Sequence, residues 1–202
     1  MQELRTLPNW EKFYQEKQVE KMGWFSPELD SDLQKALIRL NWHAGTVLDL
    51  GTGPGTQAIA LAKLGFQVTA TDISPTAIEK AKKSKKAQQL NIIWKQDDIL
   101  NHQLKTEFDW IFDRGCFHVF HPYQRETYVQ AIATLLKPNG CLFLKCFSAK
   151  RTINDGPYQF QPEEIAEIFR NKFRLISLEE TVYQGTVEPF PPALFCILQK
   201  LD

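Results

Sequence analysis

Three glycines at alternate positions, Gly51, Gly53 and Gly55, follow an acid in the stretch Val47-Leu48-Asp49-Leu50-Gly51-Thr52-Gly53-Pro54-Gly55-Thr56. Backbone without side chains lets a ligand approach closely and adopts positive φ at little cost. A second acid, Asp72, stands 21 residues after Gly51 and ends the run Phe66-Gln67-Val68-Thr69-Ala70-Thr71. At that interval a strand-end carboxylate meets ribose hydroxyls in nucleotide-binding α/β units, through charge-assisted hydrogen bonds. A third acidic site, Asp97-Asp98 before Ile99, ends Asn91-Ile92-Ile93-Trp94-Lys95. A fourth, Asp113-Arg114-Gly115-Cys116, follows Phe108-Asp109-Trp110-Ile111-Phe112, with His118 and His121 close behind.

Strands and helices must hold these groups in register. Val47, Leu48 and Leu50 suit a buried parallel strand, and Ala58 to Leu64 supply an apolar helix face. Strand, glycine loop and helix place the loop at the carboxyl end of a sheet, where ligands bind. Ser74 before Pro75 predicts the start of a helix over 76–89. A helix over 123–136 is closed by Lys137-Pro138-Asn139-Gly140, and a strand over 141–147 follows. A helix from 161 to 171 precedes two last strands, 173–178 and 193–198, joined through Glu188-Pro189-Phe190-Pro191-Pro192. Ahead of the first strand, Leu29, Leu33, Ala36, Leu37 and Leu40 recur at helical spacing after Pro27, the expected helix start. Trp10 and Trp24 stand in an otherwise polar leader, where they would either staple it to the core or close over a ligand.

The 202 residues suit a single domain, 1–202, with a lid and helix over 1–40 and a core over 44–202. Twenty-four basic residues balance 24 acidic ones, which argues against a large nucleic-acid footprint. The lysines at 80, 82, 83, 85 and 86 read as a solvated helix face. No stretch reaches the ~18 to 20 apolar residues of a membrane span, and the first 21 residues lack an apolar signal core. Cys116, Cys141, Cys146 and Cys196 form no metal-ligand spacing, so no metal is expected. Free thiols without a signal segment fit a cytoplasmic protein.

The acid and glycines at Asp49, Gly51, Gly53 and Gly55, with Asp72 and Asp98-Ile99 in series, resemble the class I S-adenosylmethionine (SAM)-dependent methyltransferases. The resemblance covers nearly the whole chain. It implies an α/β fold: a Rossmann-like, seven-stranded, mostly parallel sheet with helices on both faces and a C-terminal antiparallel hairpin. It implies SAM as cofactor and S-adenosylhomocysteine as product. It assigns cofactor binding to Asp49, Gly51, Thr52, Gly53, Asp72, Ile73, Asp98, Ile99 and Asp113, with Trp10 and Trp24 as the lid. Asp98 would accept from the adenine amine, and Ile99 would cover the ring. Asp113 would hold the cofactor's ammonium or cap the segment after it.

At the reaction centre, Asp113-Arg114-Gly115-Cys116 replaces the (D/N)-P-P-(Y/F) motif of amide and exocyclic-amine methyltransferases. It looks like the thiopurine, thiol and halide branch, whose leader is also aromatic, or like protein-lysine enzymes with a D-K-G motif. The first is favoured: a small-molecule acceptor with a soft nucleophile such as a thiol. Arg114 is the candidate cation near the methyl, and His118 a candidate base or orienting donor. His118 and His121, three residues apart, would share one helical face. The polar loop over 148–157 is long enough to line an acceptor site. A monomer or homodimer is expected, without nucleic acid or membrane partners. A protein-lysine enzyme is the alternative; an NAD-binding oxidoreductase and a non-catalytic SAM-binding scaffold are remoter ones.

Overall fold

The computed structural model describes residues 4–152 and 156–201, so Asn154 and Asp155 of the expected acceptor loop lie outside the described residues. Its centre is one sheet. In chain order the strands are β1 (Thr46–Leu50), β2 (Gln67–Asp72), β3 (Ile92–Gln96), β4 (Phe108–Arg114), β5 (Leu136–Ser148), β6 (Gln159–Phe160), β7 (Phe173–Val182) and β8 (Pro192–Lys200). The spatial order is β3-β2-β1-β4-β5-β8-β7. β1 to β5 pair in parallel, while β8 runs antiparallel to both β5 and β7. The seven expected strands and the closing hairpin are therefore present. The two-residue β6 adds an eighth beside β5; so short a strand leaves no periodicity to read.

Alternation along β1 sends Val47 and Leu48 to opposite faces. Leu48 joins the cluster under α5 (Arg125–Leu135) and α6 (Pro162–Phe169). Val47 joins the cluster under α2 (Ser31–Arg39) and α3 (Thr56–Lys63). Both clusters are covered, which suits parallel strands apolar on both faces.

Several boundaries differ from expectation. The helix after β2, α4, runs only over Pro75–Lys83, because Ser84 takes extended dihedrals (φ −59°, ψ 129°). α2 starts at Ser31 rather than near Pro27, because Asp30 caps it by accepting from the amides of Asp32 (3.0 Å) and Leu33 (3.4 Å). The Lys137-Pro138-Asn139-Gly140 turn falls inside the span of β5, as an irregularity with Asn139 at φ 60°. His118 and His121 share no helical face. His118 lies in a one-turn 3-10 segment, Phe117–Val119, whereas His121 caps the next, Pro122–Gln124.

Candidate active site

The carboxyl ends of β1, β2 and β3 bring the first three acidic sites together. After β1 the chain turns through Gly51 (φ 65°), Gly53 (φ 52°) and Gly55 (φ 77°). A Cβ on Gly53 would lie 2.7 Å from the Tyr14 hydroxyl, and one on Gly55 2.6 Å from the Trp94 ring. Asp72 Oδ2 accepts from the Gly53 amide at 2.9 Å, and its Oδ1 from the Ser74 amide at 2.9 Å. Asp49 Oδ2 accepts from the Thr52 hydroxyl and from the Ala58 amide, 3.1 Å away in α3. No cation faces either carboxylate among these partners. Burial pushes Asp49 up to about 7 and Asp72 up to about 6.

A cavity of about 120 Å³ opens here, walled by Trp10, Gly51, Asp72, Ile73, Asp98 and Ile99, with Tyr14 and Cys116. Asp98 caps a short turn, accepting from the Leu100 amide at 3.0 Å. A smaller neighbouring space is walled by Asp49, Gly51, Thr52, Trp24 and Arg114. Asp113 does not line these spaces. Its carboxylate accepts from the Cys116 (2.7 Å) and Phe117 (2.9 Å) amides and the Tyr128 hydroxyl (2.6 Å), the capping arrangement. Burial raises it to about 6.

The leader lies across this edge. Helix α1 (Trp10–Glu16) is fastened by Glu11, which accepts from the Ser74 and Thr76 hydroxyls, both at 2.6 Å, and from the Thr76 amide at 3.1 Å. Those hydrogen bonds hold Glu11 down at about 2. Lys80 of α4 donates to the Tyr14 carbonyl. The rings of Trp10 and Trp24 both lie 6.5 Å from Tyr14. Glu11 and Tyr14 escape sequence reading as site residues: the Glu11–Ser74 contact spans 63 positions, and no local pattern announces it.

Beyond Gly51 a larger cavity, about 520 Å³, is walled by aromatic rings, prolines and glycines, with Arg114, Arg151 and His118. Arg114 is almost fully engaged. Nε donates to Asp30 (2.9 Å), Nη1 to the Trp24 carbonyl (3.0 Å) and Nη2 to the Gln184 carbonyl, and the guanidinium lies 4.5 Å over the Tyr183 ring. The Tyr183 hydroxyl donates back to the Arg114 carbonyl at 2.8 Å. His118 is buried and stacks on Phe147 at 4.7 Å. Its Nδ1 accepts from the Phe147 amide at 3.2 Å, so Nε2 carries the hydrogen. Burial, then the charges of Arg151 and Arg114, push it down to about 3.

A family profile described as a methyltransferase domain matches residues 47–140, from β1 to the beginning of β5. An uncharacterised methyltransferase of Schizosaccharomyces pombe is 29% identical over 70% of the chain and 99% of its own length. The chain thus carries a methyltransferase domain and is similar to methyltransferases over most of its length. It is also 29% identical to a probable thiol methyltransferase of Arabidopsis thaliana, over 61% of this chain and 56% of that one. Its fold matches a SAM-dependent methyltransferase structure from Anabaena variabilis with a TM-score of 0.78, at 19% identity and 99% coverage of both chains. The residues fit the cofactor. The glycine turn is a cradle that side chains would fill. Asp49 and Asp72, held by neutral donors only, have room for a cationic, hydroxyl-bearing ligand.

Proposed function

We propose that this methyltransferase acts on a small-molecule acceptor with a soft nucleophilic atom, a thiol first. One observation carries the reading: among the described residues that wall the cavity beside Gly51, none is a base poised near neutrality. His118 uses Nδ1 as an acceptor and is held near 3, while burial pushes Tyr183 up to about 12. An acceptor there must arrive with its lone pair ready. Thiols ionise near pH 8.5, whereas a lysine ammonium near 10.4 needs a base; this disfavours the protein-lysine alternative. The thiol-acting Arabidopsis relative points the same way.

Bound SAM supplies a methyl group already activated on a sulfonium. The chain's own contribution is then to hold, orient and keep water out. In this reading Asp72 takes the ribose hydroxyls, Asp98 the adenine amine, and Ile73 and Ile99 the ring faces. Gly51, Thr52 and Gly53 shape the cradle, and Asp49 faces the cationic end. Trp10 and Trp24 close the leader over the site, with residues 1–40 as lid and 44–202 as catalytic core. His118 Nε2–H orients an anionic acceptor, and Arg114 acts by holding the walls in place. Asp113 acts from behind, by fixing the turn that carries Gly115 and Cys116. We place the enzyme in the cytoplasm as a monomer or homodimer. Among the described residues no helix is long and apolar enough to cross a membrane.

Incubation with methyl-labelled SAM, a panel of thiols and a cell lysate tests the reading. Label should appear on small thiols. Label confined to a protein band would overturn it.

A further inference from the structure

The large cavity is lined in part by Gly23, Trp24, Tyr183 and Val187, which belong to two distant segments that meet beside it: the end of the leader, Met22-Gly23-Trp24, and the turn after β7, Gln184-Gly185-Thr186. The Thr186 amide donates to the Gly23 carbonyl at 3.2 Å, and its hydroxyl to the Met22 carbonyl at 2.9 Å. The contact is so close that a Cβ on Gly185 would overlap the Gly23 carbonyl. Directly beneath, Arg114 donates to the Trp24 carbonyl on one side of the seam and the Gln184 carbonyl on the other. One guanidinium grips both segments.

Arg114 is itself held. Its partner in strand register, Lys145 on β5, is wholly buried. Register partners point to the same face, where like charges repel. Asp30 resolves this, with one oxygen accepting from Arg114 Nε (2.9 Å) and Lys145 Nζ (2.8 Å). Lys145 also reaches Asp32 at 2.8 Å, and Thr181 of β7 donates to Asp32 at 2.8 Å. The Gln184 side chain reaches Ser31 at 2.8 Å. Two cations and two carboxylates thus balance inside the protein. Such a cluster gains little stability over apolar packing but does fix geometry.

We infer that Lys145 is a positioning residue: through Asp30 it sets Arg114, which clasps the leader to the turn after β7 and so fixes how the acceptor is held. The inference rests on reading the large cavity as the acceptor site. Two variants probe the clasp differently. Lys145→Met removes one charge of the buried cluster, while Gly185→Ala forces the seam apart and leaves every charge in place. With thiophenol as the probe acceptor, each should raise its KM about tenfold at little change in kcat, while SAM affinity changes less than about twofold. Lys145→Arg should recover part of the loss. Without any acceptor, exchange of the Thr186 amide should be faster in both variants than in the parent. SAM affinity weakening in step with KM, or a Thr186 amide as protected as the parent's, would overturn the clasp. Should Lys145→Met fail to fold, Lys145→Arg decides the role of Lys145, where a KM and a Thr186 exchange rate equal to the parent's would overturn it, and Gly185→Ala decides the seam. A parent enzyme that leaves thiophenol unmethylated overturns the thiol reading alone, and amide exchange then decides the clasp.

Discussion

The two halves of the sheet's carboxyl edge follow opposite electrostatic plans. At β1 and β2, Asp49 and Asp72 are buried among neutral donors, and their pKa values rise to about 7 and 6. At β4 and β5, Arg114 and Lys145 are buried, but Asp30 and Asp32 neutralise them. One half holds its carboxylates by neutral hydrogen-bond donors, with Arg114 acting on Asp49 only through space, which favours a cationic ligand over the empty site. The other half spends its charges on holding the architecture. An unpaired buried charge marks a place prepared for a ligand, and a paired one marks a place prepared for rigidity.

Matched substitutions should separate the two. Arg114→Ala strands two backbone carbonyls and leaves Asp30 with Lys145 alone. Breaking a buried pair in this way costs about 3–5 kcal/mol, to be read from the denaturation midpoint. Asp72→Asn gives up one accepted amide bond but removes an unpaired charge, so folding stability should stay within about 1 kcal/mol. Its SAM affinity should fall by about 1–3 kcal/mol, the worth of charge-assisted hydrogen bonds. Equal losses of stability in the two variants would erase the contrast.

Acidity should reveal it as well. In the ligand-free protein Asp49, Asp72 and Asp113 keep their protons to about 7, 6 and 6, against 3.8 ordinarily. The native state then binds more protons than the unfolded state, and stability falls as pH rises from about 4 to about 7. His118 works the other way: held near 3 against 6.5 ordinarily, it makes stability rise with pH between those values. Glu11, near 2 against 4.5 ordinarily, and Asp30, also lowered, begin to withdraw their contribution as pH falls through about 4.5 and oppose the raised carboxyls there. Between about 5 and about 6 the three carboxyls outweigh one imidazole, so thermal midpoints should decline in that window. SAM should ionise the site acids, so binding at pH 6 should release protons, seen as buffer-dependent heats. Proton uptake would mean that Asp49 and Asp72 do not face the cofactor.

The two plans were not equally legible in the sequence. Alternate glycines and strand-end acids are local patterns, so Gly51, Gly53, Asp72 and Asp98 could be read in order along the chain. The mostly parallel sheet and the closing hairpin were implied by the resemblance those patterns carry, whereas the spatial order of the strands is seen only in the structure. Arg114 was visible by type and place, but its partner is not local: Asp30 lies 84 positions away, and Lys145 and Asp30 are 115 apart. A run such as Leu142-Phe143-Leu144-Lys145-Cys146 reads as an apolar strand with one stray charge. His118 raised the question of a base, yet its tautomer depends on the Phe147 amide, 29 residues on.

The leader joins the two halves, and its fastening offers the smallest effect. Glu11→Gln keeps a side chain able to meet the hydroxyls of Ser74 and Thr76 but removes the charge that strengthens those bonds. Trp10, one position before, should then sit less firmly over the cofactor cavity, weakening SAM binding. A second consequence opposes this. Glu11 is one of the charges that raise Asp72, so its neutralisation lets Asp72 ionise more readily and favours the cofactor. Because Glu11 is only partly buried, both effects are screened, and SAM affinity should change by less than about threefold. The leader's own mobility should change more. Trypsin should cut at Lys12 and Lys17 faster in the variant than in the parent, and added S-adenosylhomocysteine should slow cleavage less in the variant. Equal cleavage rates with and without the ligand in both proteins would mean that the leader does not close on the cofactor, and Trp10 and Trp24 would then serve only to staple it to the core.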